Sequence, residues 1–189
     1  TTKKNNPEFK LTSISKANDI KHEFKHSAES DTLATLLTAR LIKQKAPTLW
    51  QSSFLTTSKN DVLSILKKEL MCISTENYGG GPKGHLVTYI SQHPVYGYPL
   101  AIDLRHDVDN FLDINTDQLR DLLKSKPKPI RTIKHSAHPI IMNPSFIKNI
   151  EPYNAIGMEK LIERAKKIKE NKNLAERLSI IKKEEVEEK

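Results

Sequence analysis

The hydrophobic pattern of the chain changes twice along its length, and these changes limit the folds that its 189 residues can adopt. In the first part apolar residues recur at helical spacing, which predicts helices over roughly residues 27–45 and 59–70. After a glycine-rich run at 78–84 the pattern becomes that of short strands, with branched and aromatic residues between glycines and prolines. Helical spacing returns over roughly 157–188, so we predict an α+β chain with a domain boundary near residue 73.

Four short strands are expected in the middle part, and a short helix at 117–124 is expected to interrupt them. The strands are predicted at 85–91, 98–104, 129–135 and 139–142. So many short strands close together suggest a small β barrel. Ser58 or Asn60 is a suitable N-cap for the second helix, and Asn115 or Thr116 for the short one, because their side-chain oxygens accept hydrogen bonds from free backbone N–H groups.

The charge balance of the chain is strongly basic, with a formal net charge of +8. This excess favours a polyanionic partner, for which nucleic acid is the default interpretation, although a merely soluble, lysine-rich protein would have the same composition. The single cysteine, Cys72, has no partner for an internal disulfide and lies among apolar residues. A buried structural thiol and a reducing, cytoplasmic setting are therefore expected. No apolar run approaches the length of a membrane span, so no membrane association is expected.

The residues that carry the most chemistry are His26 and Asp31, which form an H-x-A-x-x-D motif at the start of the first long helix. Five residues correspond to about 140° of rotation on a helix, so the two side chains converge only if His26 precedes the helix and Asp31 lies in its early turns. An imidazole and a carboxylate placed in this way suit metal-dependent phosphodiester hydrolysis. A surface histidine beside an acid that the helix dipole favours is the simpler alternative.

Other polar and aromatic residues have less specific interpretations. Two sets are clustered in the sequence, the tyrosines Tyr78, Tyr89, Tyr96 and Tyr98 and the aspartates Asp103, Asp107, Asp109 and Asp113. The tyrosines are candidates to stack on nucleic-acid bases, although packing in a barrel or its turns explains most of them equally well. The aspartates do not have the spacing of a calcium loop and are expected to decorate a surface loop.

Three segments of the chain carry, in order, the motifs of one known family. Residues 7–50 contain the approach KLxxxxKAN, the motif HxAxxD and the exit QxxPxL, and they resemble the end of the nuclease domain of bacterial exodeoxyribonuclease I. Residues 89–123, in which a His-Pro precedes a strand ending in Asp-Leu, are similar to its SH3-like domain. Residues 129–142 resemble the strand pair that follows.

The resemblance implies a fold and an activity. It implies the helical tail of a ribonuclease-H-like exonuclease domain over 1–72, a small SH3-like β barrel over 73–150 and the start of a helical domain over 151–189. The activity it implies is two-metal, Mg²⁺-dependent hydrolysis of single-stranded DNA from the 3′ end. The resemblance also implies a role in DNA repair. Asp31 is then a metal ligand and His26 the general base, while Lys10 and, more weakly, Lys59 contact the DNA.

The chain also departs from the family pattern. Gln92 stands where the family usually shows an aromatic residue, and residues 136–139 replace an Asn-Lys-Cys-Pro sequence, which puts DNA contacts of the accessory domain in doubt. The D-x-E pair and the middle aspartate of DEDD nucleases are expected on an N-terminal exonuclease segment that is missing from this chain. The alternative function is therefore a non-catalytic, truncated remnant that at most binds single-stranded DNA.

Overall fold

The structure is a computed structural model that describes residues 8–22, 27–54, 56–77, 82–137 and 139–188. It combines helices with a largely antiparallel sheet, as the α+β prediction requires. The chain forms two compact units, of which the first holds the helices up to Ser52 and the second holds the sheet and the remaining helices from Ser53 onward. Among the described helices, none is both long and apolar enough to span a bilayer.

The first unit consists of three helices: α1 (Leu11–Ala17), α2 (Ala28–Lys45) and α3 (Pro47–Ser52). The break between α2 and α3 falls at Ala46, because the residue before a proline is disfavoured in helical conformation while proline itself is well suited to the first turn of a helix. The predicted helix at 27–45 is confirmed. Ala34 is the buried residue of α2, whereas the large side chains Leu33, Leu36 and Ile42 are exposed.

The second unit begins with α4 (Lys59–Lys68), whose N-terminus is closed by a capping box. Ser58 accepts from the backbone N–H of Asp61, and Asp61 accepts from the backbone N–H of Ser58. At the other end Lys169 donates to the carbonyl oxygens of Leu66 and Lys67, at 3.4 and 3.2 Å. Both ends of the helix therefore have partners for backbone groups that a helix leaves unpaired.

The sheet has five strands in the order β4-β3-β2-β1-β5. The strands are β1 (Cys72–Asn77), β2 (Pro82–Gln92), β3 (Pro99–Asp103), β4 (Ile130–Thr132) and β5 (Ile141–Met142). β2 pairs antiparallel with β3, β3 with β4, and β1 with β5. All five residues of β3 are buried, which fits its central position and its apolar sequence. α4 lies on this sheet and contributes Val62 and Leu66 to the core.

The other helices of the second unit are short, except for a C-terminal pair. They are α5 (Asp109–Leu112), α6 (Thr116–Leu123), α7 (Tyr153–Ile156), α8 (Met158–Glu170) and α9 (Lys172–Glu187). Two 3₁₀ helices cover His135–Ala137 and Pro144–Asn149. The predicted helical region near the C-terminus is a pair, because Asn171 ends α8 and caps α9 by accepting from the N–H of Leu174.

The predicted domain division at 1–72, 73–150 and 151–189 refers to the longer proteins that the chain resembles and stays a prediction. In this structure the second compact unit begins earlier, at Ser53, because α4 shares the core of the sheet. The order of strands runs from β4 at one edge to β5 at the other. The SH3-like barrel also stays a prediction.

Candidate functional site

The predicted site lies at the start of α2. Ser27 is the N-cap residue with an extended backbone, and Glu29 and Asp31 occupy the first turn, where the helix dipole favours negative charge. The backbone N–H of Asp31 donates to the carbonyl of Ser27 at 2.9 Å, which places Asp31 in the helix proper. The expected position of Asp31 in an early turn is confirmed. His26, the predicted general base, lies outside the described residues.

A different histidine contacts the Asp31 carboxylate. His22 Nε2 donates to Asp31 Oδ1 at 2.6 Å. The His22 side chain is only 5% exposed, whereas that of Asp31 is 45% exposed. Within the described part of the chain, the buried Nδ1 of His22 has no hydrogen-bond partner. The imidazole therefore fixes one carboxylate oxygen from the protein side and leaves the carboxylate open to solvent.

Sequence reasoning missed His22. The available signal was a second histidine four positions before His26 in the same polar run, but a pattern of spacings does not show which imidazole faces the carboxylate. The contact joins residues nine positions apart, so the helical spacing within α2 does not predict it.

The chemistry of Asp31 fits a hard divalent cation, since a half-exposed carboxylate supplies both oxygen and charge. The number of ligands does not fit. No group of three or more histidine, cysteine, aspartate or glutamate side chains in the described ranges could hold a metal ion. One carboxylate is too few for a two-metal centre, so the described residues do not by themselves form a magnesium site.

The two predicted DNA-binding lysines lie in different units. Lys10 is the N-cap residue of α1 in the first unit, and its exposed ammonium lies 3.4 Å from the carboxylate of Glu8. Lys59 is the first residue of α4 in the second unit and is also exposed. Both positions are accessible to a polyanion, and contact with DNA stays a prediction for each.

A buried charge network is centred on Asp103, which was expected on a surface loop but is the fully buried last residue of β3. That expectation was wrong because Arg131 and Tyr153, which are distant in the chain, donate to this carboxylate. Arg105 Nε lies 2.9 Å from Oδ2 and Arg131 donates to the same oxygen at 3.2 Å, while Tyr153 donates to Oδ1 at 2.5 Å. The backbone N–H of Arg105 donates to Oδ1 at 3.2 Å.

Glu76 and His85 complete the network. Arg131 also donates to Glu76 Oε2 at 3.3 Å, so the two guanidinium groups are matched by two carboxylates. Arg105 Nη2 lies 2.8 Å from His85 Nδ1. The same Nδ1 lies 3.2 Å from Asp103 Oδ2, and Nε2 on the other side of the ring faces Glu76 at 3.7 Å. The network therefore joins the ends of β1, β2, β3 and β4 to α7.

The electrostatics of the network favour the ionised aspartate. Burial alone would raise the pKa of Asp103, but the hydrogen bonds with His85 and Tyr153 and the charge of Arg105 hold this pKa well below its ordinary value. Burial and the negative charge of Asp103 raise the pKa of Tyr153 well above its ordinary value, so its hydroxyl stays a donor. The Asp103 carboxylate is 0% exposed, and we assign the network to stabilisation of the sheet rather than to chemistry on a substrate.

Comparison with known proteins gives no matching family model, but it gives clear sequence relatives. Exodeoxyribonuclease I of Haemophilus influenzae is 34% identical over 125 residues, which cover 64% of this chain and 26% of that protein. Exodeoxyribonuclease I of Escherichia coli is 23% identical over 190 residues, which cover 93% of this chain and 40% of that protein. The chain thus spans between a quarter and two fifths of the length of these relatives.

Solved structures show the same likeness in fold. A moderately thermophilic exonuclease I from Methylocaldum szegediense superposes with a TM-score of 0.62 at 18% identity, over 94% of this chain and 41% of that one. E. coli exonuclease I in complex with a dA16 oligonucleotide superposes with a TM-score of 0.59 at 20% identity, over 93% and 41%. A zinc-bound form of the E. coli enzyme with single-stranded DNA is also similar, with a TM-score of 0.56 at 21% identity, over 95% and 42%.

The ordered sequence match and the shared fold relate this chain to a class of bacterial nucleases. Within that class its relatives are exodeoxyribonuclease I proteins, and the resemblance predicted from the sequence is confirmed. The likeness reaches both compact units, since the E. coli match covers 93% of the chain.

Proposed function

We propose that this chain is part of an exonuclease that removes nucleotides from the 3′ end of single-stranded DNA. The main support is the match to exodeoxyribonuclease I along most of the chain, in sequence and in fold. A similar solved structure is described as a complex with a dA16 oligonucleotide, and the net charge of +8 suits such a ligand. In the cell this activity would serve DNA repair in the cytoplasm.

In the proposed site Asp31 contributes one carboxylate ligand and His26 accepts a proton from the attacking water. His22 holds Oδ1 of Asp31 at 2.6 Å and so restricts the carboxylate to one orientation. A bound Mg²⁺ pair would supply the activated water and the stabilised leaving oxygen. We propose that Lys10, which is exposed in the same unit as Asp31, contacts a phosphate of the DNA end.

The remaining ligands have to come from outside the described residues, and the surface of α2 supports this arrangement. Leu33 and Ile42 lie on opposite sides of α2, and both are exposed. A helix that carries large apolar residues on more than one side is typical of one that is covered on more than one side. We propose that a further exonuclease segment, bearing the other carboxylates, covers this helix. The sheet of the second unit then corresponds to the SH3-like domain.

The second candidate function is binding of single-stranded DNA without hydrolysis. The observation that favours it is that the described residues contain no group of three or more side chains that could hold a metal ion, since a two-metal site that lacks most of its ligands loses nearly all of its rate. The basic surface and the second unit would still bind the phosphate backbone.

Hydrolysis of 5′-labelled single-stranded DNA with Mg²⁺ separates the two functions. The full chain is assayed alone and after addition of the N-terminal part of a relative that carries the D-x-E pair. We expect 3′-end shortening only in the mixture and its loss in the double variant His26→Ala/Asp31→Ala. Activity that survives in this double variant would refute the site, and inactivity of the mixture with retained DNA binding would favour the second function.

A further inference from the structure

A row of four rings lines the turn between β2 and β3 and continues into the first 3₁₀ helix. This aromatic row consists of His93, Tyr96, Tyr98 and His135, with ring centroids 4.8, 6.3 and 5.7 Å apart in that order. Tyr96 is 56% exposed, although a large ring in a monomeric domain is usually more buried. Tyr96 therefore presents aromatic surface to solvent next to the sheet, whereas Tyr98 and His135 are partly buried and His93 is buried.

The turn that carries Tyr96 is held rigidly. The N–H of His93 donates to the carbonyl of Tyr98 at 2.7 Å, and His93 Nδ1 accepts from the N–H groups of Val95 and Tyr96 at 3.2 and 3.3 Å. Gly97, at a φ of 69°, supplies the left-handed conformation that the turn needs directly after Tyr96. Because the turn is already ordered, a ligand that binds the Tyr96 ring does not lose free energy in ordering the turn. This favours the interpretation that the exposed ring binds a ligand.

Positive charge lies at both ends of the aromatic row. Near His93, Lys67 donates to Gln92 Oε1 at 3.4 Å. At the other end, Lys59 is the first residue of α4, which packs against the 3₁₀ helix that carries His135. Burial and then the positive charge of Lys59 lower the pKa of this histidine. Both lysines belong to α4, whose one acidic residue, Asp61, is engaged in the capping box. The row is thus flanked by cations that no acid of α4 neutralises.

We infer that the aromatic row is a stacking surface for the bases of single-stranded DNA, with Lys59 and Lys67 on the flanking phosphates. Rings stack on any base, and cations beside them follow the backbone, so this combination is typical of binding without sequence preference. The inference rests on the proposed binding of single-stranded DNA and assigns to it residues of the second unit. In this arrangement Lys59 contacts a phosphate beside the aromatic row.

The test measures binding of the full chain to fluorescein-labelled oligothymidylate by fluorescence anisotropy over a range of salt concentrations. The variants are Tyr96→Ala, Tyr96→Phe and, as the matched control, Ile180→Ala, whose side chain on α9 is 50% exposed. An oligomer of abasic deoxyribose phosphates serves as the ligand without bases. Thermal unfolding shows that each variant is folded.

Tyr96→Ala is expected to weaken oligothymidylate binding between about fivefold and a hundredfold, the range for loss of one stacked base. The slope against salt should stay unchanged, since no phosphate contact is lost. Tyr96→Phe and Ile180→Ala should bind within about twofold of the parent chain, and the abasic oligomer should bind parent and Tyr96→Ala equally.

Three results would overturn the inference. If Tyr96→Ala binds oligothymidylate as the parent chain does, the row does not stack on bases while the proposed DNA binding stands. If the parent chain binds no single-stranded DNA at low salt, both proposals fail. If Tyr96→Ala instead changes the sedimentation of the chain and leaves DNA binding intact, a second copy of the chain occupies the row.

Discussion

Replacement of Asp103 by asparagine tests whether the buried charge network stabilises the second unit. The change conserves size but removes the negative charge that Arg105 and Arg131 share, at 2.9 and 3.2 Å from Oδ2. If the amide oxygen keeps the bond from Tyr153, the amide N–H₂ group faces two guanidinium groups that only donate. The variant therefore leaves positive charge buried without its partner.

The magnitude follows from that geometry. Removal of one partner from a buried ion pair costs about 3–5 kcal/mol, because the other charge stays desolvated. The partly exposed side chains of Arg105 and Arg131, at 23% and 17%, place the expected loss at the lower end, about 3 kcal/mol. The free energy of unfolding of a small protein falls by about 1–3 kcal/mol per molar urea, so the urea midpoint of unfolding should fall by at least about 1 M.

Urea unfolding followed by circular dichroism measures this loss. Asp107→Asn is the matched control, since Asp107 is exposed and its change should cost less than about 0.5 kcal/mol. Tyr153→Phe, combined with Asp103→Asn, should show a coupling of about 0.5–3 kcal/mol because the two side chains share a hydrogen bond. Equal midpoints for Asp103→Asn and Asp107→Asn would refute the assignment of a stabilising role to the network.

Three further predictions concern pH, the thiol and the turn. The pKa of Asp103 is depressed in the folded chain, so its ionised carboxylate stabilises the fold fully above the ordinary pKa of 3.8. This stabilisation is lost as the pH falls towards the folded pKa. Acid titration of stability should therefore show the parent chain and Asp103→Asn converging below pH 3.8, and a constant difference would contradict this. Burial raises the pKa of the Cys72 thiol to about 12, so a disulfide reagent should modify this thiol only after the chain is unfolded in urea. Rapid labelling of the folded chain would show instead that the thiol is accessible. Gly97→Ala should lower the free energy of unfolding by about 1–2 kcal/mol relative to the parent chain, because alanine is strained at the φ of 69°. An unchanged free energy of unfolding would mean that the turn relaxes.

Local features of the fold could be predicted from the sequence. Ser58 and Asn115 cap α4 and α6 as expected, because a cap depends on residues within one turn of the helix. The apolar stripes of α8 and α9 also face the core, since Leu161 and Leu174 are fully buried and their spacing is helical.

Features that depend on distant partners could not be predicted. Burial of Asp103 requires Arg131 from β4 and Tyr153 from α7, which lie 28 and 50 positions away in the chain. The contact of His22 with Asp31 joins residues nine positions apart, and the spacing of the two histidines does not show which of them faces the carboxylate. The position of Asp31 in the first turn of α2 could be predicted, because it follows from the start of one helix.

The two units differ in how they are stabilised, and this difference bears on function. Nearly all large buried side chains belong to the second unit, including Phe111, Leu119 and Tyr153, and its charge network is internally paired. In the first unit Ala34 and Ser15 are buried, whereas the larger apolar side chains are either exposed, such as Leu33, or only partly buried, such as Leu37. Burial of apolar area is the main favourable term in folding, so the second unit has the means to fold by itself and the first gains most from being covered. The proposed DNA-binding row therefore lies on the unit with its own core. The proposed hydrolytic residue lies on the unit that needs a partner, so hydrolysis is expected to depend on that partner more strongly than binding does.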